Sequence, residues 1–495
     1  MLEPELTTKN YRQASPEEKA NIELSITNFI IEHFKIKTTY DGKIYFYLQD
    51  DGIYSPRGET IIKCQVSEYL NKTITIHGKN EIVSKIKDAT QVFKTIDQLT
   101  EKSDDALYDV CVENGVINIK TGEFRPHTPD DFFITKIPVT YNPEAKCPKI
   151  EKFLREISKK DYPDPEETTF WQLVETVGWC LFVNEYYPHS AIALVGSGSN
   201  GKSTYIGLIR IFLGTRNCTA ISLSELEENA FARGNLHGKL ANLYPDLTDK
   251  AIEHSGIFKQ ITGGDFISAD EKFQERINFV NTAKQIYSAN KYPKPPEDED
   301  SIAFWRRWIR VNFEQMFTQA KKNENKDILR EICTPEEFSG LLNLALIGAR
   351  KLLKDGQFIL DIGKSIEEKR RDYLSMSDVI PVFLDEAVMP SEKKYITRKD
   401  MYLLFKAYLR ITRSLFMHEN ITQRKLTGTI LALIQKQKSR YGWIGQDSKT
   451  VNGVENVDVW TNIAISDLKG LSESFDTISE ETEHEEIMRE ETEYT

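Results

Sequence analysis

The stretch that decides the fold reads Ala-Ile-Ala-Leu-Val-Gly-Ser-Gly-Ser-Asn-Gly-Lys-Ser-Thr, at positions 191–204. Its first part, Ala191–Val195, is short and wholly apolar, which is typical of a buried parallel strand. Positions 196–203 match the pattern Gly-x4-Gly-Lys-Ser, and a helical pattern follows to Phe212. Strand, glycine-rich loop and helix in this order predict a phosphate-binding loop. The predicted ATP-binding residues are Gly196, Ser197, Gly198, Ser199, Asn200, Gly201, Lys202, Ser203 and Thr204.

The chemistry of this loop depends on its glycines and on the start of the helix. Glycine lets backbone N–H groups approach phosphate oxygens closely, and the helix N-terminus adds the positive end of its dipole. Lys202 can reach the β- and γ-phosphates, and Ser203 can bind a metal ion. ATP and Mg2+ are therefore the predicted cofactors.

Hydrolysis also needs a carboxylate on the metal, a group that positions water and a cation for the developing charge. Asp246 follows an apolar run and can hold Mg2+ or orient water, with Asp249 as the fallback. Asn290 ends a second apolar run; alone it is more typical of a turn, but its place after the first two motifs favours a γ-phosphate sensor. Arg306 and Arg307 lie between aromatic residues, either at a stacked surface edge or facing the nucleotide of a neighbouring subunit.

Length and composition limit the class of protein. A chain of 495 residues predicts two to four domains. It has no run of about 18 uncharged apolar residues and no basic-then-apolar start, so neither a membrane partner nor a secretory signal is expected. Six cysteines lie far apart without a Cys-x-x-Cys pair, which indicates reduced thiols and a cytoplasmic protein.

The net charge of −12 is unevenly distributed along the chain. Residues 472–495 hold ten acidic residues and one basic residue, whereas residues 391–450 hold thirteen Lys/Arg against four Asp/Glu. A basic segment followed by an acidic tail often marks contact with nucleic acid.

The pattern of apolar runs and turns predicts an α/β fold in several units. Short strands and a hairpin with an Asn114-Gly115 turn indicate an α+β accessory domain before the core. The predicted units are a frayed N-terminus at 1–20, the accessory domain at 21–148, the P-loop core at 149–335 with a helical block at 149–185, a helical connector at 336–390, a winged-helix-like basic domain at 391–468 and a disordered acidic tail at 469–495.

The winged-helix prediction rests on the order helix, helix, β-hairpin. One helix is predicted around Arg398–Arg410 and a second around Gln423–Lys436, followed by strands joined at Asn452-Gly453. Such a module can place a helix in the major groove, or it can bind protein instead. The predicted DNA contacts of this module are Arg424, Lys425, Lys436, Lys438 and Arg440.

The P-loop, acid, Asn and Arg-Arg motifs all lie between residues 196 and 307. This layout resembles superfamily 3 helicases, and among them the phage/plasmid primase-helicase group, related to the poxvirus primase-helicase and to archaeal plasmid replication proteins. The residues that carry the resemblance are Gly198–Thr204, Phe231-Ala232-Arg233, Phe258–Asp265, Asn290 and Trp305-Arg306-Arg307, with Asn114–Ile117 and Pro126–Pro129 upstream.

The resemblance implies an AAA+-like P-loop core and a role for each motif. Asp246 would be the second-motif acid, although the family often has two adjacent acids where this chain has Pro245 and one Asp. Asn290 would be the sensor and Arg307 the arginine finger, with Arg306 as the alternative. The family's channel hairpin corresponds to residues 263–279, and its predicted contacts with single-stranded DNA are Lys272, Phe273 and Arg276.

The function expected from this set is an ATP-dependent replicative DNA helicase of a plasmid or virus. The resemblance implies a ring, a homo-hexamer, that moves 3′→5′ on single-stranded DNA in its channel. Duplex origin DNA and a primase-polymerase domain or protein are further expected partners. The first ~110 residues leave too little chain for a polymerase fold, so no primer synthesis is expected. The alternatives are an origin-binding initiator or loader that uses the P-loop as an assembly switch, and a packaging motor.

Overall fold

A computed structural model describes residues 11–493 of the chain, except 12, 71–72, 161–163, 165, 197, 248–254, 271–275, 291–294, 296–300, 318–326, 378 and 413–420. Side chains are also not described at 97, 375–376 and 483–493. The fold is mixed α/β, as the sequence predicts, and it is organised around one parallel sheet of five strands.

The central sheet has the strand order β13-β7-β12-β9-β8, with every neighbouring pair parallel. The predicted strand Ala191–Val195 is confirmed to the residue as β7, and all five of its residues are buried because alternate side chains pack into apolar layers on the two faces of the sheet. The other two predicted core strands, at 239–244 and 283–288, exist but lie one or two residues further along the chain. The five strands are β7 Ala191–Val195, β8 Cys218–Thr219, β9 Ala241–Leu247, β12 Lys284–Ala289 and β13 Trp308–Asn312.

Two layers of apolar side chains hold the sheet. The larger layer packs helices before and after the core against one face, with Trp179, Phe212 and Leu342 fully buried. The helices of the core are α5 Pro148–Ile157, α6 Thr168–Trp179, α7 Lys202–Leu213, α8 Leu223–Glu228, α9 Ala230–Gly234, α10 Ser255–Ile261 and α11 Ile302–Trp305, and a hairpin of β10 Phe266–Ala269 and β11 Ile277–Val280 lies between α10 and β12.

The region before the core contains two small antiparallel sheets and four helices among its described residues. The predicted strand at 44–48 is confirmed, and so is the hairpin around Asn114-Gly115. Its elements are α1 Pro16–His33, β1 Ile36–Thr38, β2 Ile44–Leu48, β3 Ile53–Ser55, α2 Gly58–Tyr69, α3 Ile76–Ala89, α4 Ile96–Thr100, β4 Asp109–Val112, β5 Gly115–Asn118 and β6 Phe124–Arg125.

The frayed N-terminus predicted at 1–20 is wrong for its last five residues, which belong to α1. Ser15 accepts a hydrogen bond from the Glu18 N–H, and the Glu18 carboxylate accepts one from the Ser15 N–H. This reciprocal capping box satisfies two donors that a helix start otherwise leaves unpaired.

After the core, three helices lead to a C-terminal unit whose sheet has the order β14-β16-β15. Both predicted helices and the hairpin at Asn452-Gly453 are present, and β14 joins the hairpin as a strand that the sequence did not indicate. The elements are α12 Ile328–Ile332, α13 Pro335–Asp355, α14 Ile366–Ser377, α15 Val379–Ala387, β14 Val388–Thr397, α16 Arg398–Ile411, α17 Gln423–Lys436, α18 Lys438–Tyr441, β15 Gly445–Val451, β16 Val454–Ile465 and α19 Leu471–Glu493.

The tail predicted to be disordered is the helix α19. Leu471 and Ile478 are buried in the apolar core of the C-terminal unit, and Phe475 packs against that core. Spacings of four and three residues put these side chains on one helical stripe, which the dense acidic charge of the segment obscured. The Arg410 guanidinium also pairs with the Glu481 carboxylate at 3.3 Å.

The position of α5 beside the P-loop depends on a carboxylate from α13. Cys147, at the start of α5, offers no side-chain cap, and Glu337 replaces it by accepting hydrogen bonds from the Lys149 and Ile150 N–H groups at 3.1 and 3.0 Å. Glu337 is only 7% exposed, and its negative charge lies at the positive end of the α5 dipole.

We expect Glu337→Ala to lower the free energy of unfolding by about 1–3 kcal/mol, because two buried N–H groups lose their acceptor. Urea denaturation followed by circular dichroism measures this loss. Glu144→Ala is the matched control, since Glu144 is exposed in a turn just before α5. Equal unfolding curves for the two variants would contradict the capping role.

Candidate functional site

The backbone of the P-loop takes conformations that its glycines permit. Gly201 has φ +90° directly before α7, in the left-handed region that glycine adopts without strain. Gly196 has no space for a side chain, because a Cβ there would lie 2.1 Å from Asn200 Nδ2 and 2.5 Å from the Phe313 carbonyl oxygen. The Asn200 amide itself donates to that carbonyl at 3.2 Å, so β13 braces the loop. Ser197 lies outside the described residues.

Lys202 is the most perturbed group of the loop. Its ammonium donates to the Gly196 carbonyl at 2.6 Å and to Asn200 Oδ1 at 3.0 Å, and the side chain is only 5% exposed. Burial lowers the pKa of Lys202 from 10.5 to about 8, while the Asp246 carboxylate opposes this shift. Two neutral acceptors do not compensate fully for the lost hydration of an ammonium, and an anion placed beside it would.

Parallel pairing brings the predicted site residues together. β12 lies between β7 and β9, so the carboxyl ends of all three strands meet at one edge of the sheet. Lys202, Asp246 and Asn290 all line one cavity of about 550 Å3 at that edge. The lining residues are Phe153, Glu156, Gly198, Ser199, Asn200, Gly201, Lys202, Ser203, Thr204, Pro245, Asp246, Ser288, Ala289, Asn290, Phe317 and Ile328.

Asp246 differs slightly from its predicted place, since it lies inside β9 rather than after it. Its side chain is exposed toward the cavity, as are those of Ser203 and Asn290. The fallback acid, Asp249, lies outside the described residues. Hydroxyl and carboxylate oxygens are the ligands that Mg2+ prefers, and this ion is usually held by one or two protein groups plus phosphate oxygens. Ser203 and Asp246 fit that donor set, and the described chain contains no cluster of three metal-ligating residues.

The two predicted arginines are not at this edge. The Arg307 carbonyl accepts from the Ala191 N–H at 2.7 Å, which places the pair at the amino end of β7. Five residues of strand, roughly 16 Å, separate that end from the P-loop. Arg307 is 5% exposed and donates to the Ala303 carbonyl, whereas the Arg306 side chain is exposed. Burial lowers the pKa of Arg307, and the positive charge of the adjacent Arg306 lowers it further.

The predicted DNA contacts are placed only in part. Lys272 and Phe273 lie outside the described residues, between β10 and β11. Arg276 is the first described residue after that gap, and its side chain is exposed. Its guanidinium pairs with the Asp270 carboxylate at 2.8 Å. Arg233, from one of the resemblance motifs, donates to the carbonyls of Ser268 and Leu226 and thereby attaches the hairpin to α8.

The basic residues of the C-terminal unit are mostly exposed. Arg424 and Lys425 lie in the first turn of α17, and Lys436 and Lys438 follow at its far end. Arg440 instead pairs with Asp385 of α15, so it contacts its own chain. Arg424, Lys425, Lys436 and Lys438 are therefore the candidates for contacts with DNA phosphates.

Sequence reasoning missed one side of the cavity. Phe153 and Glu156 come from α5, and Phe317 and Ile328 come from the segments after β13. The only signal was the i, i+3 spacing of Phe153 and Glu156, which puts both on one helical face.

Two known families match parts of the chain. Residues 28–159 match the family described as "D5 N terminal like", and residues 194–307 match a family of unknown function, DUF5906. The second match contains the P-loop, Asp246, Asn290 and both arginines, so these residues belong to a recurring sequence unit.

One similar viral protein spans both regions. The chain is 24% identical over 446 residues to "Putative helicase L207/L206" of Acanthamoeba polyphaga mimivirus, an alignment that covers 80% of this chain and 45% of the viral protein. The chain thus spans less than half the length of that relative. The D5-type match and the viral relative together support kinship with viral primase-helicase-type proteins.

The solved structures that align with the chain do so at low identity and low TM-score. The apo C-terminal region of NrS-1 aligns at 13% identity and a TM-score of 0.40, covering 88% of this chain and 97% of that one. A second apo structure of the same region aligns at 12% identity and the same TM-score, with coverages of 89% and 99%.

No helix of the described chain is long and apolar enough to cross a membrane.

The lowered pKa of Lys202 predicts how triphosphate affinity depends on pH. In the free protein this ammonium loses its proton as the pH rises through about 8, but phosphate binding needs the charged form. Affinity for a fluorescent ATP analogue should therefore be constant below pH 8 and fall above it, by up to about tenfold per pH unit. Titrations at fixed ionic strength from pH 6.5 to 10 measure this, with Lys202→Met as a weak-binding control that lacks the dependence. Constant wild-type affinity up to pH 10 would contradict the assignment.

Proposed function

We propose that the protein is an ATP-dependent replicative DNA helicase that works as a ring of identical subunits. The observation that carries the proposal is the division of its site between two edges of one sheet. The groups proposed to bind phosphate, to bind metal and to sense the γ-phosphate line one cavity, while the exposed Arg306 lies at the opposite edge. A second subunit could bring the arginine edge of one chain to the cavity of the next.

The residues of the cavity would divide the work of hydrolysis. Lys202 and the loop N–H groups would hold the β- and γ-phosphates, and Ser203 and Asp246 would hold Mg2+. When bound, Mg2+ supplies neutralisation of charge on the phosphate oxygens. Asn290, at the tip of the central strand β12, would position the attacking water against the γ-phosphate.

The arginine edge would complete the site from a neighbour. The sequence favoured Arg307 as the finger, but a finger must reach across an interface, and Arg306 is the exposed member of the pair. We therefore assign the reach to Arg306 and a supporting position behind it to Arg307. A guanidinium supplied in trans contributes on the order of 10³–10⁵ to the rate.

The rest of the chain suits a DNA motor of the superfamily 3 type with an AAA+-like core. The β10–β11 hairpin leaves the amino edge of the sheet, and its tip would contact a single strand in a central channel. The C-terminal unit, with its basic α17 and its three-stranded sheet, would act as a winged-helix-like module on duplex DNA. Kinship with primase-helicase-type proteins supports single-strand translocation, with 3′→5′ movement as the expected direction.

An origin-binding initiator is the second candidate, favoured by the exposed basic residues of α17. In that case the P-loop would act mainly as an assembly switch. Loss of the Lys202 ammonium separates the two functions, because it removes the motor but leaves the basic surface intact.

The decisive test is strand displacement on forked DNA with ATP and Mg2+, run with substrates of both polarities. We expect unwinding by the wild type and a loss of at least about 100-fold in Lys202→Ala, because the phosphate grip is removed. Duplex binding of the variant, measured by fluorescence anisotropy, should stay within about twofold. A wild-type protein that binds origin-like duplex but neither hydrolyses ATP nor unwinds DNA would contradict the helicase.

A mixing experiment tests the shared site. Lys202→Ala and Arg306→Ala should each be inactive as ATPases, yet a 1:1 mixture that exchanges subunits contains intact interfaces at random, so about a quarter of wild-type activity should return. Arg307→Ala, tested in the same mixtures, is the comparison for the buried arginine that adjoins Arg306. A strictly additive result, with no recovery in any mixture, would place both halves of the site within one subunit.

A further inference from the structure

The cavity has a second half, on the far side of the P-loop from Asp246 and Asn290. β13 and β12 flank β7 on opposite sides, and Phe317 follows β13. The Phe317 N–H donates to the Ser199 carbonyl at 2.9 Å, which fixes this aromatic residue beside the loop. From the other direction α5 approaches so closely that a Cβ on Gly201 would lie 2.6 Å from Ile157 Cγ2.

This half has the composition of a base pocket. Phe153, Phe317 and Ile328 present apolar surface, and Glu156 supplies the only carboxylate among the described residues on this side. Aromatic rings stack on any nucleobase, so they give affinity without choice of base. A single polar group among apolar walls is the usual means of fixing which ligand is accepted.

We infer that Glu156 reads the 6-position of a bound purine and selects 6-aminopurines over 6-oxopurines. This rests on the proposed nucleotide function and names the substrate that the site prefers. An ionised carboxylate can only accept hydrogen bonds. Adenine offers an N–H donor at its 6-position, whereas guanine and hypoxanthine offer an acceptor oxygen there.

The neighbours of Glu156 leave its carboxylate available. Arg155, the adjacent cation, is held by Glu151 at 2.9 Å and by Glu167. Lys160, one turn further along, pairs with Asp164 at 3.1 Å. Within the described part of the chain Glu156 has no hydrogen bond or ion pair, and its side chain is half-buried at the cavity wall. A base amino group would give it the partner that it lacks.

The test compares ATP with ITP, which carries a 6-oxo group, by competition against a fluorescent ADP analogue. We expect the wild type to bind ATP at least about tenfold more tightly than ITP. In Glu156→Gln the ratio should fall to about twofold, because an amide can either accept from an amino group or donate to an oxygen. The ratio should fall mainly through tighter binding of ITP, because the amide N–H can donate to the 6-oxo group.

Lys152→Gln is the matched control, because Lys152 is exposed on α5 and does not line the cavity. It should keep the wild-type ratio, and thermal melting should show that both variants fold. Equal affinities for ATP and ITP in the wild type would overturn the inference, as would tighter binding of GTP than of ATP or an unchanged ratio in Glu156→Gln. Inorganic tripolyphosphate distinguishes failure of the Glu156 inference from failure of the proposed nucleotide function. If neither a nucleotide nor tripolyphosphate binds, the proposed function fails as well.

Discussion

The parallel pairing of β7 with a strand on each side is the constraint on which the site depends. Parallel strands send all their carboxyl ends to one edge, so the residues that follow β7 and β12 and the end of β9 must meet there. The same pairing sends the start of β13, with Arg306 and Arg307, to the other edge. The parallel pairing therefore brings the cavity residues Lys202, Asp246 and Asn290 together and places the two arginines at the opposite edge.

Two buried lysines, Lys284 and Lys202, differ in how many hydrogen-bond acceptors the protein supplies for the buried ammonium group. Lys284, at the start of β12, is fully enclosed, and burial lowers its pKa to about 7. Its ammonium nevertheless donates to the carbonyls of Phe182, Glu185 and Thr282 at 2.6 to 2.8 Å, a complete set of acceptors that ties the segment after α6 to the sheet. Lys202 has only two such partners and opens on a cavity. The first lysine is satisfied by its own chain, and the second keeps unmet hydrogen-bonding capacity beside a cavity.

The sequence predicted what is local and missed what depends on distant partners. β7 was placed to the residue because an apolar run, a glycine-rich loop and a helix are contiguous, and the meeting of Lys202, Asp246 and Asn290 followed from strand ends alone. β14 was missed because most of its side chains are exposed and it is held as a strand by pairing with β16, sixty to eighty residues away. The tail helix was missed because charge density hid three apolar side chains. For Glu156 the sequence offered only its i, i+3 spacing from Phe153, since the packing of α5 against Gly201 is what brings it to the cavity.

The amino edge also explains why two adjacent arginines would serve a motor better than one. A Cβ on Gly263 would lie 3.1 Å from Arg307 Nη2, so the buried arginine touches the loop from which β10 emerges. Arg307 also contacts α11 through Ala303, and its exposed neighbour Arg306 faces outward. In the proposed ring, a change at the neighbour's γ-phosphate would act first on Arg306 and reach the base of the β10–β11 hairpin through Arg307. Such a route would need no long-range rearrangement, because in that ring the cavity edge of one subunit and the hairpin edge of the next would be in contact.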